Sequence, residues 1–395
     1  MTEGGARRSI DDVELRSLVP QVIRVLVRRG ADFASAEDAV QEALVRALRT
    51  WPTSPPDEPR AWLVTVAWRV HLDTVRAERA RGDREERVEI EPPPGEVSGS
   101  DDSLRLHFLC AHPDLTPSSA VALTLRAVGG LTTRQIAEAY LVPEATMAQR
   151  ISRAKRTVAE AGLERLGDLR TVMRVLYLVF NEGYSGDVDL AAEAIRLTRQ
   201  LTEVVGDDDD QRPEVHGLLA LMLLHHARRA TRTRVDGSIV PLAEQDRARW
   251  DHDLIAEGVV VLQAALGRDR LGEDQAQAAI AAPHADATAV GGNAWVQIVE
   301  WYDELLAITD TPIVRLNRAV AVGQADGPDA GLAALAGVPE GTARRAAVAA
   351  HLHERRGEFG LAARLYVQAA QEATNAAERD HQTRQAARVN QLLRE

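Results

Sequence analysis

The stretch that most constrains this chain is residues 131–156, LTTRQIAEAYLVPEATMAQRISRAKR. It reads as two helices and a sharp turn. Thr132 or Thr133 can cap the first helix by offering a hydroxyl to free backbone N–H groups. Ile136, Ala137 and Tyr140 give that helix an apolar face at helical spacing. Leu141-Val142-Pro143 then breaks it, because proline lacks an N–H and forces the residue before it out of the α region. Proline also suits the first turn of the next helix, which is expected from about Glu144. Met147, Ile151, Ala154 and Val158 form its buried stripe. Thr146, Gln149, Arg150, Arg153, Lys155 and Arg156 are left for the other faces. This is the pattern of a helix-turn-helix whose second helix lies in a DNA major groove. An ordinary αα-hairpin with a solvated basic face is the plain alternative.

A length of 395 residues implies two or three domains, and 45% apolar residues imply a folded chain. One cysteine, Cys110, excludes a disulfide framework and suits a reducing compartment. The first residues contain no apolar run of signal-peptide type, and the most apolar segment, 217–224, is too short to span a bilayer. A cytoplasmic location is expected. The formal net charge of −12 argues against nucleic acid until its distribution is considered. Segment 60–81 carries Arg60, Arg69, Arg76, Arg79 and Arg81 against Asp73 and Glu78. Segment 131–165 is also mildly basic. Between them, 83–102 is strongly acidic.

Upstream of the hairpin, 12–29 reads as a helix with Leu15, Leu18, Val22, Val25 and Leu26 inward, stopped by Gly30. Ser35 is expected to cap a second helix, on which Ala39, Val40, Ala43, Leu44, Ala47 and Leu48 form an apolar face. Asp38, Gln41, Glu42 and Arg46 occupy its remaining surface. A proline-rich loop leads to a third helix from Arg60, with Trp62 and Trp68 in its first half and arginines in its second. Exposed aromatics stack on unpaired bases and arginines track phosphates, a combination suited to single-stranded or melting DNA. Trp62 reads as core, whereas Trp68 reads equally well as core or as a stacking platform. Residues 82–102 are a linker by composition. His107, Cys110 and His112 have poor metal-ligand spacing and read as packing residues.

Taken together, these modules resemble regions 2 and 4 of an extracytoplasmic-function sigma factor. The resemblance is carried by AEDAVQEALVRAL (from residue 36), PRAWLVTVAWRVHLDTVR (59–76) and the 131–156 hairpin. The continuation RVLYLVFNEGY (174–184), QDRARWDHDLI (245–255) and LNRAVAV (316–322) resembles a long subgroup in which the sigma core is fused to a tetratricopeptide-like extension. The resemblance implies an all-α fold. Residues 1–81 would be region 2, 82–102 a flexible acidic linker, 103–162 region 4, and 163–395 an α-solenoid-like regulatory domain.

The resemblance also implies roles. Asp38, Gln41, Glu42 and Arg46 match positions that grip the β′ clamp helices of core RNA polymerase, and the β flap is the corresponding partner of region 4. Trp68, Arg69, Arg76 and Arg79 fall where the −10 element is melted and held, although Arg69 stands where many relatives outside the long subgroup have asparagine. Thr146, Gln149, Arg150, Arg153, Lys155 and Arg156 fall on the helix that reads the −35 element. Arginine suits guanine O6/N7 and glutamine suits adenine N6/N7.

Beyond 163, helical segments recur as far as 360–376. Gly-Leu-Ala-Ala occurs at 331–334 and again at 360–363. Around the second copy, Gly357, Ala362, Tyr366 and Ala369 fall at spacings like a tetratricopeptide repeat. Such a surface normally binds a protein or peptide. Asn181-Glu182-Gly183-Tyr184 reads as a helix C-terminal turn with Gly183 at positive φ. His225-His226 and Asp251-His252-Asp253 lack a coherent ligand set, and no phosphate-binding or dinucleotide fingerprint is present. The expectation is a promoter-specific initiation factor, not an enzyme, that needs no cofactor. The alternative is a helix-turn-helix regulator with a helical sensor domain, acting without core polymerase.

Overall fold

The computed structural model describes residues 12–81, 106–140, 142–161, 167–182, 184–185, 188–232, 234, 240, 242–285, 292–373 and 376–393. The expected linker 82–102, Leu141 of the hairpin break and Gly183 of the expected turn lie outside the described residues. The described chain is helical apart from one antiparallel pairing of two residues each, Tyr184 opposite Asp189 and Ser185 opposite Val188. It divides into two compact units at Asp207/Asp208.

The first unit begins with α1 (Asp12–Arg28), α2 (Phe33–Thr50) and α3 (Pro59–Arg81), which pack on one another. α1 buries Leu15, Val19, Val22, Ile23 and Leu26. Leu18 and Val25, expected inward, are only half-buried, because the core-facing stripe centres on Val19, Val22 and Ile23. Gly30 ends the turn after α1 at φ +93°, a conformation that costs a side-chain-bearing residue free energy. The cap of α2 is Asp32 and not Ser35. Its carboxylate accepts hydrogen bonds from the Ser35 backbone N–H (3.0 Å) and from the Ser35 hydroxyl (2.5 Å). Leu48, expected in the apolar face of α2, is 57% exposed. Trp51 is buried edge-on against Trp62, with ring centroids 5.3 Å apart, so Trp62 is a packing residue.

After a short helical segment at 106–110 come α4 (Pro117–Ala127), α5 (Thr133–Ala139) and α6 (Glu144–Ala161). Thr132 caps α5 in a full capping box: its hydroxyl accepts from the Gln135 N–H while the Gln135 side chain accepts from the Thr132 N–H. Met147, Ile151, Ala154 and Val158 are all buried, at 0–4% exposure, as the spacing requires. α7 (Leu169–Glu182) packs on α4 and on α8 (Leu190–Val204). The Gly167 N–H donates to the Phe108 carbonyl at 3.2 Å, and a Cβ at Gly167 would collide with the Ala111 carbonyl. The first two helices after the hairpin are therefore built into the same compact unit as the hairpin itself.

The second unit contains α9 (Arg212–His226), α10 (His252–Leu266), α11 (Glu273–Ala285), α12 (Gly292–Ile308), α13 (Pro312–Ala325), α14 (Pro328–Leu335), α15 (Arg345–Arg355), α16 (Phe359–Glu372) and α17 (Ala376–Leu392). α9 packs on both α10 and α11, and from α11 onward each helix packs on its successor. This is the serial packing of a solenoid. Ala362, Tyr366 and Ala369 are buried with Ala350, Ala386 and Val389. The small residues admit the neighbouring helices and the tyrosine fills the space between them, donating its hydroxyl hydrogen to Glu354 at 2.8 Å. α10 begins at His252, after two single 3₁₀ turns, because Asp251 caps it through the Leu254 N–H. No helix of the described residues is long and apolar enough to cross a membrane.

Candidate nucleic-acid interface

The packing of α6 decides which of its side chains are free. With the 147/151/154/158 stripe turned inward, Gln149, Ser152, Arg153 and Arg156 line one open face together with Ala148. Thr146 is exposed at the N-terminal end of the same helix, and Arg150 is half-buried beside it. Arg153 Nε reaches only the backbone carbonyl of Gln149, at 3.4 Å. Among the described residues no carboxylate forms an ion pair with Arg150, Arg153 or Arg156. A helix carrying glutamine and arginines on one solvent face can enter a groove, contact base edges and meet phosphates.

Lys155 departs from that group. Its side chain is 12% exposed and turns toward α2, where its Nζ meets Glu37 and lies 2.6 Å from Asp38 Oδ1. Glu37 is completely buried, and its other carboxylate oxygen lies 2.9 Å from Arg126 Nε on α4. Arg126 in turn donates to the Leu131 carbonyl at 3.1 Å, at the start of the hairpin. One acid of α2 thus holds two cations supplied by the second helical module. Glu37 is not among the residues that the sequence motifs single out. The available signal was an acid on the inward side of α2, next to Ala36 and one turn before Val40.

The same seam encloses His107, Cys110 and His112, all buried. Burial, reinforced by Arg196 and Arg24, lowers His107 to about 4, so its imidazole is neutral at pH 7. Burial and the nearby Glu37 charge push the Cys110 thiol far above its usual range, and its sulfur lies 3.9 Å from the Leu123 carbonyl. His112 Nδ1 accepts from the Asp114 N–H at 3.1 Å. Among the described residues no group of three acids, histidines or cysteines stands together as a metal site.

On α3, the buried stripe is Leu63, Ala67 and His71. Trp68 is half-buried: its ring lies 5.2 Å from that of His71, and the Arg29 guanidinium sits over it at 5.5 Å. Arg69 and Arg76 are exposed, and Arg76 is only loosely paired with Asp73, at 3.4 Å. Arg79 lies in the last turns of α3, with its side chain outside the described residues. On α2, Asp38, Glu42 and Arg46 are exposed and Gln41 is half-buried; Glu42 and Arg46 pair at 3.0 Å. Between them Val45 is 41% exposed and Leu48 57%, an apolar element in an otherwise charged surface.

In the second unit, a groove of about 530 Å³ is lined by Leu266, Asp269, Leu271, Trp301 and Glu304, with Arg270 neutralised by Asp210. His225 is driven down to about 3 by burial and by Arg228 and Arg232, so it carries no charge near neutral pH. Asp251 is committed to capping α10.

The chain matches Sigma-70 region 2 over residues 15–81, Sigma-70, region 4 over 105–158, and a family of unknown function (DUF6596) over 168–266. It is 40% identical over 348 residues to Uncharacterized protein R00370 of Rhizobium meliloti (strain 1021), covering 82% of this chain and 81% of the relative. It is 29% identical over 184 residues to the Probable ECF RNA polymerase sigma factor SigI of Mycobacterium tuberculosis, covering 44% of this chain and 63% of that protein. It is 30% identical over 218 residues to the ECF RNA polymerase sigma factor SigJ of the same organism, covering 46% and 68%. No solved structure matches.

Proposed function

The chain belongs to the extracytoplasmic-function RNA polymerase sigma factors, and on that premise we propose which surfaces it uses and how its extension acts. As a sigma factor it serves RNA polymerase in transcription initiation. The open face of α6 reads the −35 element: Gln149 and Arg153 contact base edges, Thr146, Arg150 and Arg156 contact phosphates, and Lys155 joins them once it leaves α2. The observation that supports this most directly is the absence of any carboxylate ion pair to Arg150, Arg153 and Arg156 among the described residues. Trp68, Arg69, Arg76 and Arg79 hold the melted −10 strand. Asp38, Gln41, Glu42 and Arg46, with the exposed Val45 and Leu48 between them, dock on the β′ clamp helices, and region 4 docks on the β flap. The chain positions polymerase without making or breaking a bond itself.

The extension regulates this activity in cis. Its solenoid has the serial helix packing of protein-binding repeats, and the groove between Leu271 and Trp301 offers an apolar floor with acidic rims at Asp269 and Glu304. The test is reconstituted transcription with the full chain and with a chain ending after Asp207. That cut keeps α7 and α8, which pack in the first unit, whereas one near residue 165 would strip them. Removing the second unit is expected to change transcript yield or polymerase affinity at least threefold. Equal yield and equal affinity would show that the second unit has no regulatory role.

A further inference from the structure

We propose that Glu37 is an intramolecular latch: by binding Arg126 and Lys155 it closes region 4 onto region 2 in the free chain, in a form that cannot engage both promoter elements. Elements centred about 25 base pairs apart are about 85 Å apart along B-form DNA. A compact body of about 200 residues is only about 43 Å across. The first unit, ending at Asp207, contains both reading helices, α3 and α6, and joins them through this cluster. It must open before both helices can be used. The ion pairs also occupy functional groups. Lys155 lies on the −35 helix, and Asp38, the exposed partner of Lys155, lies on the polymerase-facing surface of α2. A surface that captures Asp38 therefore competes with Lys155 for it and weakens the latch. The closed contact is easily reversed, because a buried ion cluster gives back in desolvation most of what it gains in attraction. The chain's acidic 82–102 segment, at most about 3.3–3.6 Å per residue, is long enough in sequence to let the two modules separate by about 70 Å.

Lys155 is the only lysine in the chain, so its chemistry reports the latch directly. The full-length protein is treated with an amine-acylating reagent, and modification of Lys155 is followed by peptide mass spectrometry. In the free wild-type chain Lys155 is expected to react at least tenfold more slowly than in the same chain unfolded in urea. Glu37→Gln leaves two buried cations facing an amide and is expected to raise the rate severalfold. Lys155 reacting in the native chain at its unfolded rate, or a rate unchanged in a folded Glu37→Gln chain, would overturn the proposal. Should Glu37→Gln fail to fold, Lys155→Glu replaces it. Lys155 is not part of the buried 147/151/154/158 stripe, so this change leaves the hairpin's own core intact while setting three acids together. Donor and acceptor dyes placed at Thr65 and Glu160, both exposed, are then expected to show lower transfer in Lys155→Glu than in wild type, and equal transfer would overturn the proposal. A second arm rests on the polymerase reading above: Lys155→Glu is expected to bind core polymerase about threefold or more tighter, because no binding free energy is spent on opening. Low dye transfer with unchanged polymerase affinity would leave the latch standing and count against its place in polymerase capture; the labelling and dye arms involve no polymerase and judge the latch alone.

Discussion

Glu37 and Asp274 show how much a single carboxyl can depend on its surroundings. Glu37 lies between two cations, Arg126 and Lys155, and its contribution is conditional: replacing such a cluster with apolar groups is often neutral, whereas removing one member costs about 3–5 kcal/mol. Asp274 is the opposite case. Burial, with Glu214 and Glu273 nearby, raises its carboxyl to about 8. Its own backbone N–H donates to Glu214 at 2.6 Å, so the Glu214 carboxylate caps α11 and repels a second negative charge. The folded chain therefore retains a proton that the unfolded chain releases at about pH 4. Stability from this group is full below that pH and is lost as pH rises toward about 8. Asp274→Asn is expected to raise the melting temperature at pH 8 by about 3 °C or more and to leave it nearly unchanged at pH 4.5, as read by thermal unfolding at both values. Neither behaviour was legible in the sequence. An acid inside an apolar face and an acid in a helix's first turn are ordinary local patterns, and only the tertiary neighbours make them unusual.

At the scale of elements, legibility followed the strength of the local signal. α6 was readable to the residue because four apolar positions at helical spacing leave one solution for its inward face. The cap of α2 lies three residues before the one its sequence suggests, because Asp32 and Ser35 are both good capping residues and only geometry shows which one accepts. α17 was missed. It buries little beyond Gln382, Ala386 and Val389, so its sequence carries almost no amphipathic pattern. α14 carries little periodic signal because it is only eight residues long, placed by Gly327 at φ +96° and Pro328 in its first turn. The crossing of α9 and α11 depends on one glycine. A Cβ at Gly217 would lie 2.6 Å from the backbone N of Gln275 and 2.9 Å from its Cα. Gly217→Ala must push these helices apart and disturb Gln275, which is fully buried and donates to the Arg270 carbonyl at 2.7 Å. A loss of about 2 kcal/mol or more is expected in denaturant unfolding despite alanine's better helix propensity. A gain in stability would contradict this close approach.

At the scale of the molecule, sequence patterns and compact units divide the chain differently. The family match to region 4 ends at residue 158 and the next match begins at 168, yet the first unit runs to Asp207 because α4 packs on α7. Helical periodicity cannot report such a boundary, since it depends on which apolar faces meet. It also could not report that region 2 and region 4 are joined through Glu37. What was legible, from three motifs in the right order, was the presence of regions 2 and 4 of a sigma factor in one chain. The most direct test of this account is run-off transcription with purified core polymerase, on promoters selected from a random library with the full chain. The account expects transcripts with a defined start that depend on the chain and fall at least tenfold with Arg153→Ala. It would be contradicted by a chain that binds a specific duplex tightly alone, fails to associate with core polymerase and yields no transcript.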